Sequence, residues 1–102
     1  YWKMADPNKT ILGALTEGVQ RDLWEKLGTR TARTVIAVIG GSPAYLAEIW
    51  EGDILIAFNG EKIVGEAGLS KLLEKYNGQE IVLTLWRNGN FYDVTVLLNA
   101  KA

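Results

Sequence analysis

The chain has 102 residues, with 11 lysines and arginines against 12 aspartates and glutamates, and it contains neither cysteine nor histidine. This composition excludes a disulfide framework, the usual structural zinc sites, and catalysis by a cysteine nucleophile or a histidine base. The net charge of −1, with both signs scattered along the chain, gives no basic patch for nucleic acid and no polybasic arm for a membrane surface. We therefore expect one compact domain without a cofactor, a nucleic-acid partner or a membrane contact.

The first part of the chain is predicted to contain a helix, a polar loop and a strand. Residues 1–9 include a turn cluster and are interpreted as a lead-in segment. Apolar residues at helical spacing within 16–28 predict a short amphipathic helix that ends at Gly28. Polar residues 29–34 predict a loop, and the apolar run 35–39, bounded by glycines, predicts a buried strand.

The middle of the chain has the local signals of a capped helix and a second strand. Ser42 followed by Pro43 is typical of a helix N-cap with proline in the first turn, which predicts a short helix over 44–49. Residues 54–58 form another apolar run, and the dipeptide Asn59-Gly60 after it is typical of a tight turn. We therefore predict a strand over 54–58.

The last third of the chain predicts a helix and a hairpin. One apolar stripe at helical spacing is formed by Leu69, Leu72, Leu73 and Tyr76. Residues 81–87 and 91–98 alternate in polarity and are joined by Asn88-Gly89, a strong signal for a two-residue hairpin. Because strands outnumber helices and the connections are short, we predict an α+β fold. Its sheet or partly closed barrel would have about five or six strands, capped by two or three short helices.

The segment 41–60 resembles the signature of bacterial PDZ domains, such as those that follow the protease domain of HtrA-type serine proteases. The matching residues are Gly41-Ser42-Pro43-Ala44, Ala47, Ile49, Gly52-Asp53-Ile54-Leu55 and Asn59-Gly60. The resemblance extends over residues 10–98, so it implies a PDZ domain there, with a tail at 99–102. It also implies a larger bacterial parent protein, such as a protease, in the periplasm or cell envelope.

Three departures from that family's pattern affect what we expect. Glu48 stands where many bacterial relatives have glycine, and a positive φ there would strain a residue that carries a Cβ. Trp50 and Glu51 replace a commoner Lys-Pro pair, which makes Trp50 a candidate exposed anchor. Ala14 is smaller than the usual isoleucine, phenylalanine or leucine, which changes the depth expected of the pocket for a ligand's last side chain.

The resemblance implies a peptide-binding groove at the start of the domain. The tetrad Ile11-Leu12-Gly13-Ala14 is similar to the family's carboxylate-binding loop. In such a loop, successive backbone N–H groups point at a terminal carboxylate because glycine allows a tight turn. The edge over 13–17, which includes Leu15, would then accept an extended peptide as an added strand. Gly13 has a simpler interpretation as a turn glycine.

The other predicted groove residues are Lys9, Leu69 and Leu73. Lys9 is the nearest positive charge to the tetrad, although most lysines of this kind are solvated surface residues. Leu69 and Leu73 are assigned to the groove and Leu72 to the core, although a stripe of this kind is more often core than pocket. The partners implied are protein C-termini and other domains of the parent chain.

Catalysis by this chain is not expected. Ser42 and Ser70 lie in neither a G-x-S-x-G nor an S-x-x-K motif, and the alternate carboxylates Glu51 and Asp53 flank a turn without an implied cleft. Two functions remain open. The domain is a module that captures C-terminal or extended peptide segments, or it is a structural or autoregulatory module whose groove is filled by its own chain or a neighbouring domain.

Overall fold

The computed structural model describes residues 11–99, and within them the chain forms six strands and three short α-helices, while Ile11 and Leu12 are also helical. The strands are β1 (Ala14–Gly18), β2 (Arg33–Val38), β3 (Ile54–Phe58), β4 (Glu61–Lys62), β5 (Glu80–Arg87) and β6 (Asn90–Leu97). The helices are α1 (Trp24–Leu27), which follows a 3₁₀ turn at Arg21–Leu23, α2 (Pro43–Leu46) and α3 (Gly65–Lys75). The predicted α+β class is confirmed.

The described strands form one antiparallel sheet in the order β1-β2-β3-β5-β6, and the short β4 pairs with β3. The sheet does not close, so β1 and β6 are its two edge strands. Both hairpin-type turns are confirmed, because Asn59 and Asn88 have φ of 49° and 50° and each is followed by a glycine with positive φ. Positive φ at both central residues gives the twist that an antiparallel hairpin requires.

The beginning of the chain differs from the prediction. The helix expected over 16–28 is wrong in its first half, because Ala14–Gly18 is strand β1 and pairs with β2. Arg33 and Thr34, assigned to a loop, are the first residues of β2. In both places the pairing of distant segments overrides a weak local pattern. The predicted end is confirmed: Gly28 has φ +70° and caps α1, its N–H donating to the Trp24 carbonyl at 3.0 Å.

The main core lies between the sheet and α3, and a smaller one lies under α1. Phe58, Leu55 and Leu83 are fully buried in the main core. Burying each such side chain stabilises the fold by about 1.5–3 kcal/mol, because its apolar surface is removed from water. The smaller core contains Val19, Leu27, Ala32 and Ile54. Ile11 and Leu12 belong to the main core, so the chain that enters β1 is anchored just before Gly13.

The turn between α2 and β3 is fixed by a buried ion pair. The Asp53 carboxylate, with a side chain only 3% exposed, accepts the Trp50 N–H at 2.8 Å. The Arg87 guanidinium donates to both carboxylate oxygens, from Nε to Oδ1 at 2.8 Å and from Nη2 to Oδ2 at 2.5 Å. Nη2 also donates to the Glu48 carbonyl at 2.9 Å. We call Glu48, Trp50, Asp53 and Arg87 the Asp53 corner.

Two members of the Asp53 corner depart from their ordinary states, Glu48 in its backbone φ and Arg87 in its pKa. Glu48 has φ +62°, a left-handed conformation that costs a residue with a Cβ about 1–2 kcal/mol. The hydrogen bonds from Arg87 to Asp53 raise the pKa of the guanidinium, because they favour its charged form. Glu48 therefore has the positive φ at which strain was expected for a residue that carries a Cβ.

Candidate functional site

Gly13 is required by both its conformation and its surroundings. Its φ is +86°, and a Cβ placed on it would lie 2.0 Å from the Cβ of Ser42. The Gly13 carbonyl accepts the Ile39 N–H at 2.8 Å, and the Ser42 hydroxyl donates to the same carbonyl at 3.4 Å. Gly13 is thus the contact between the tetrad and the N-cap of α2, where Ser42 accepts the Tyr45 N–H at 3.2 Å.

The Gly13 carbonyl determines where the next N–H points. Because the peptide group is planar and trans, the N–H of Ala14 points opposite to the Gly13 carbonyl, which faces β2. It therefore points to the free edge of β1. Backbone groups alternate in direction along an extended strand, so Thr16 also presents its N–H and carbonyl at that edge. Ala14 and Thr16 are the residues with which an added strand would pair.

A β-bulge lies opposite this edge, on β2. Leu15 pairs with Ala37 and Thr16 with Val35, so Ile36 is the extra residue. Because the extra residue belongs to β2, the alternation along β1 is uninterrupted. The free edge thus keeps the regular spacing that pairing with an extended peptide needs.

The predicted tetrad residues contribute unequally to this edge. The side chains of Ile11 and Leu12 are 0% and 1% exposed in the core, so only their backbone is available to a ligand. Ala14 and Leu15 are half-buried, and Ala14 packs against the main core. Lys9 lies outside the described residues.

Helix α3 lies beside β1, where the resemblance predicts the second wall of a groove. Its first residue is fixed where the Gly65 N–H donates to the Thr31 carbonyl at 2.8 Å. Leu69, Leu72 and Leu73 are 6%, 8% and 2% exposed, so all three are core residues and burial does not separate groove from core among them. The predicted groove role of Leu69 and Leu73 therefore stays a prediction.

The other end of α3 is held by exposed charges. Lys75 donates to Glu61 of β4 at 2.8 Å, with side-chain exposures of 56% and 40%, and the Tyr76 hydroxyl donates to the same carboxylate. The pKa of Glu61 is lowered, mainly by the hydrogen bond from Lys75 and secondly by that from Tyr76. The same bond to Glu61 raises the pKa of Lys75. Exposed pairs of this kind contribute little to stability, so this end of α3 is held mainly by its buried side chains, Leu72 and Leu73.

Arg33 contacts the edge strand β1, and the sequence did not single it out. Its Nε donates to the Thr16 hydroxyl at 3.1 Å and its Nη2 to the Thr16 carbonyl at 3.0 Å. The guanidinium therefore lies on the edge strand itself. The sequence gives no signal for this, because Arg33 stands in a polar stretch and its position depends on the pairing of β1 with β2.

Metal clusters and membrane-spanning helices were also sought within residues 11–99. No group of three or more acidic residues there is placed to hold a metal ion. None of the helices in this range has both the length and the apolar character that crossing a bilayer requires.

Comparison with known proteins identifies the family, because the family model of the PDZ domain matches residues 34–87, more than half of the chain. The chain belongs to the PDZ domain family. Curated relatives include probable periplasmic serine endoproteases, DegP-like, from Hahella chejuensis, 33% identical over 88 residues, and from Rhizobium meliloti, 33% identical over 81 residues. These alignments cover 83% and 76% of the chain but only 19% and 16% of the relatives.

Solved structures share the fold of this PDZ domain. The HtrA3 PDZ domain bound to a phage-derived ligand, FGRWV, has a TM-score of 0.72 at 18% identity, covering 86% of this chain and 83% of that one. The HtrA-type protease AlgW with a decapeptide has a TM-score of 0.71 at 21% identity, covering 89% of this chain and 29% of that one. The predicted PDZ-like fold is confirmed.

The comparisons also bear on activity and location. The part of the DegP-like relatives that this chain matches is their PDZ domain, which is a binding module and not the catalytic domain. Those relatives are named as periplasmic, in agreement with the periplasmic or cell-envelope location that the resemblance implied.

Proposed function

We propose that this PDZ domain captures protein C-termini by adding them as a strand to the free edge of β1. The observation that carries the proposal is the direction of the Ala14 N–H, which points away from β2 while α3 lies alongside. Strand addition supplies affinity through main-chain hydrogen bonds and leaves selectivity to side-chain pockets. Peptides in the solved structures of HtrA3 and AlgW support the same kind of ligand here.

The terminal carboxylate would be held by the N–H groups of Leu12, Gly13 and Ala14. The positive φ of Gly13 is what allows neighbouring N–H groups to converge on one anion. Lys9 would add a solvent-screened attraction. The peptide would run away from this loop, antiparallel to β1, with its last side chain towards Leu69 and Leu73.

In the parent protein, the captured end would be presented to an attached catalytic domain or would regulate it. This role is drawn from the DegP-like proteases whose PDZ domain the chain matches. The alternative is a groove already filled by the parent chain. Within residues 11–99, the sheet order ends at β1, which leaves its outer edge without a paired strand and favours capture of an external peptide.

A titration with matched peptides tests terminal capture. The probe is a fluorescein-labelled hexapeptide, five alanines followed by valine, with a free carboxylate, and its control has an amidated C-terminus. We expect the free acid to bind with a Kd of about 1–100 μM and the amide to bind at least about tenfold more weakly. Fluorescence anisotropy gives both constants.

N-methylated peptides test strand addition separately. In antiparallel pairing, only alternate N–H groups of the ligand point at β1. Methylating the amide of the last or the third-last residue should therefore abolish binding, whereas methylating that of the second-last residue should leave affinity within a few-fold. Equal effects at all three positions would rule out the added strand. A folded chain that binds none of these peptides would favour the intramolecular alternative.

A further inference from the structure

Arg33 lies on the face of the sheet that a captured peptide would use. It is two residues before Val35, so their side chains point to the same face of β2, and Val35 is 1% exposed in the main core. Thr16 pairs with Val35 and therefore shares that face. Arg33 and Thr16 thus lie on the α3 side of the sheet, one pairing step along β1 from Ala14.

The guanidinium of Arg33 uses only part of its bonding capacity on Thr16. Nε and Nη2 form one edge of the planar group, and both donate to Thr16 oxygens. Arginine carries five N–H donors, so the end formed by Nη1 and Nη2 keeps three of them. In the described part of the chain Arg33 takes part in no ion pair. A positive charge with a fork-shaped set of donors is therefore left at the groove.

Thr16 fixes which ligand residue meets this charge. A peptide whose carboxylate lies at the Ala14 N–H pairs next with Thr16 through its third residue from the C-terminus, because outward-pointing residues recur every second position. Directly opposed residues in an antiparallel pair have side chains on the same face. The third-last side chain thus emerges beside Thr16, where the guanidinium lies.

We propose that Arg33 makes this PDZ domain selective for C-termini with an acidic side chain at the third-last residue. This inference rests on the strand-addition function proposed above. A ligand carboxylate there accepts two parallel N–H bonds from the free end of the guanidinium, the geometry for which arginine is suited. Thr16 keeps its bonds to Arg33 while its carbonyl also accepts the ligand N–H, because a carbonyl oxygen has two lone pairs.

The test compares two fluorescein-labelled peptides on the 102-residue chain, Ala-Ala-Ala-Glu-Ala-Val and Ala-Ala-Ala-Gln-Ala-Val, by fluorescence anisotropy. We expect the glutamate peptide to bind about three- to tenfold more tightly at low ionic strength, with the difference shrinking as salt is added. Moving glutamate to the second-last position should give no gain, because that side chain faces the other side of the added strand.

Two variants and one control assign the preference to Arg33. Arg33→Gln should bind both peptides equally, and Arg33→Glu should prefer a third-last lysine. The matched control is Arg30→Gln, since Arg30 is an exposed arginine whose guanidinium lies over the Trp24 ring, 5.5 Å from its centroid, and not on Thr16. The control should keep the preference of the parent.

The outcomes separate this inference from the proposed function. If both peptides bind equally to the parent, or if the preference survives in Arg33→Gln, the role of Arg33 is overturned while strand addition stands. If neither peptide binds to the folded parent, the strand-addition function fails and the role of Arg33 fails with it.

Discussion

The Asp53 corner and the free edge of β1 are held in opposite ways. In the corner, a nearly fully buried carboxylate receives N–H donors from Trp50 and Arg87, and Arg87 also bonds the Glu48 carbonyl. At the edge, the N–H of Ala14 points outwards, and the Thr16 carbonyl meets a side chain, that of Arg33, and not a strand. One region is internally satisfied, and the other has bonding capacity left for a ligand.

This difference separates the residues that identify the family from those proposed to carry function. Gly52 and Asp53 belong to the segment with the family signature, and the Asp53 carboxylate accepts its hydrogen bonds from within the domain. Binding sites need unsatisfied groups and local freedom, which a closed network does not leave. A strong motif match therefore indicates the fold here, whereas selectivity depends on residues such as Arg33 that lie outside the signature.

The largest effect is expected at Gly13, where the start of β1 packs on Ser42, the N-cap of α2. Gly13→Ala should destabilise the domain by about 4 kcal/mol, because the new Cβ overlaps Ser42 and the φ of +86° is strained. Urea unfolding measures the change. The matched control is Gly18→Ala at the other end of β1, where a Cβ meets nothing within 4 Å, and its cost should stay below about 1 kcal/mol.

Because substitutions at Gly13 destabilise the fold, their effect on binding must be separated from their effect on stability. A bulkier Gly13→Val should unfold the domain outright, so its loss of binding would reflect the fold and not the carboxylate loop. Adding Ser42→Gly to Gly13→Ala should recover part of the lost stability, because it removes the overlapping Cβ. A Gly13→Ala chain with parental stability would contradict the close packing of these residues.

The second effect breaks the Asp53 corner and leaves the groove intact. Arg87→Ala should destabilise the domain by about 3 kcal/mol, because it leaves the buried Asp53 carboxylate unpaired. This value is at the lower end of the cost of breaking a buried ion pair, because the Arg87 side chain is 27% exposed. Chemical denaturation gives the value, with Arg21→Ala as an exposed control. Peptide affinity of the folded variant should equal that of the parent, and a large loss would show that the two regions are coupled.

A third, smaller change should relax the corner. Glu48→Gly should stabilise the domain by about 1 kcal/mol, because glycine adopts the observed φ of +62° without strain. The thermal midpoint should then rise by about 4–8 °C. Glu51→Gly is the control, since Glu51 is exposed and has no positive φ, and it should not stabilise. If Glu48→Gly lowers the thermal midpoint, the side chain of Glu48 stabilises the domain by more than the strain at its φ costs.

The smallest effect concerns the exposed pair at the end of α3. The pKa of Glu61 is lowered from its ordinary value near 4.5, so its pairing stabilises the fold above that pH and is lost as pH falls through the lowered value. The pKa of Lys75 is raised from near 10.5, so its contribution is lost as pH rises through the raised value. The free energy of unfolding of Glu61→Gln should therefore differ slightly from that of the parent at neutral pH and become equal to it in acid. Unfolding curves across pH measure this, with the exposed Glu80→Gln as control, and a gap that persists in strong acid would contradict the assignment.

Local signals predicted much of the fold. The cap at Ser42, the turns at Asn59 and Asn88 and the end of α1 at Gly28 follow from the backbone preferences of those residue types. The strand β3 was predicted with its observed ends, because it is a buried apolar run between two turns. The local pattern did not predict strand β1, and only the family resemblance implied an edge over 13–17. The five residues of β1 show no clear alternation and acquire their conformation by pairing with β2.

The sequence by itself determined the family, the turn positions and the candidate carboxylate loop, because each depends on residues that are neighbours along the chain. Only the tertiary structure decided that Gly13 packs on Ser42, that Asp53 pairs with Arg87 and that Arg33 lies on Thr16. These pairs are 29, 34 and 17 residues apart in sequence. Their contacts depend on strand register and on the bulge at Ile36, which no local pattern encodes.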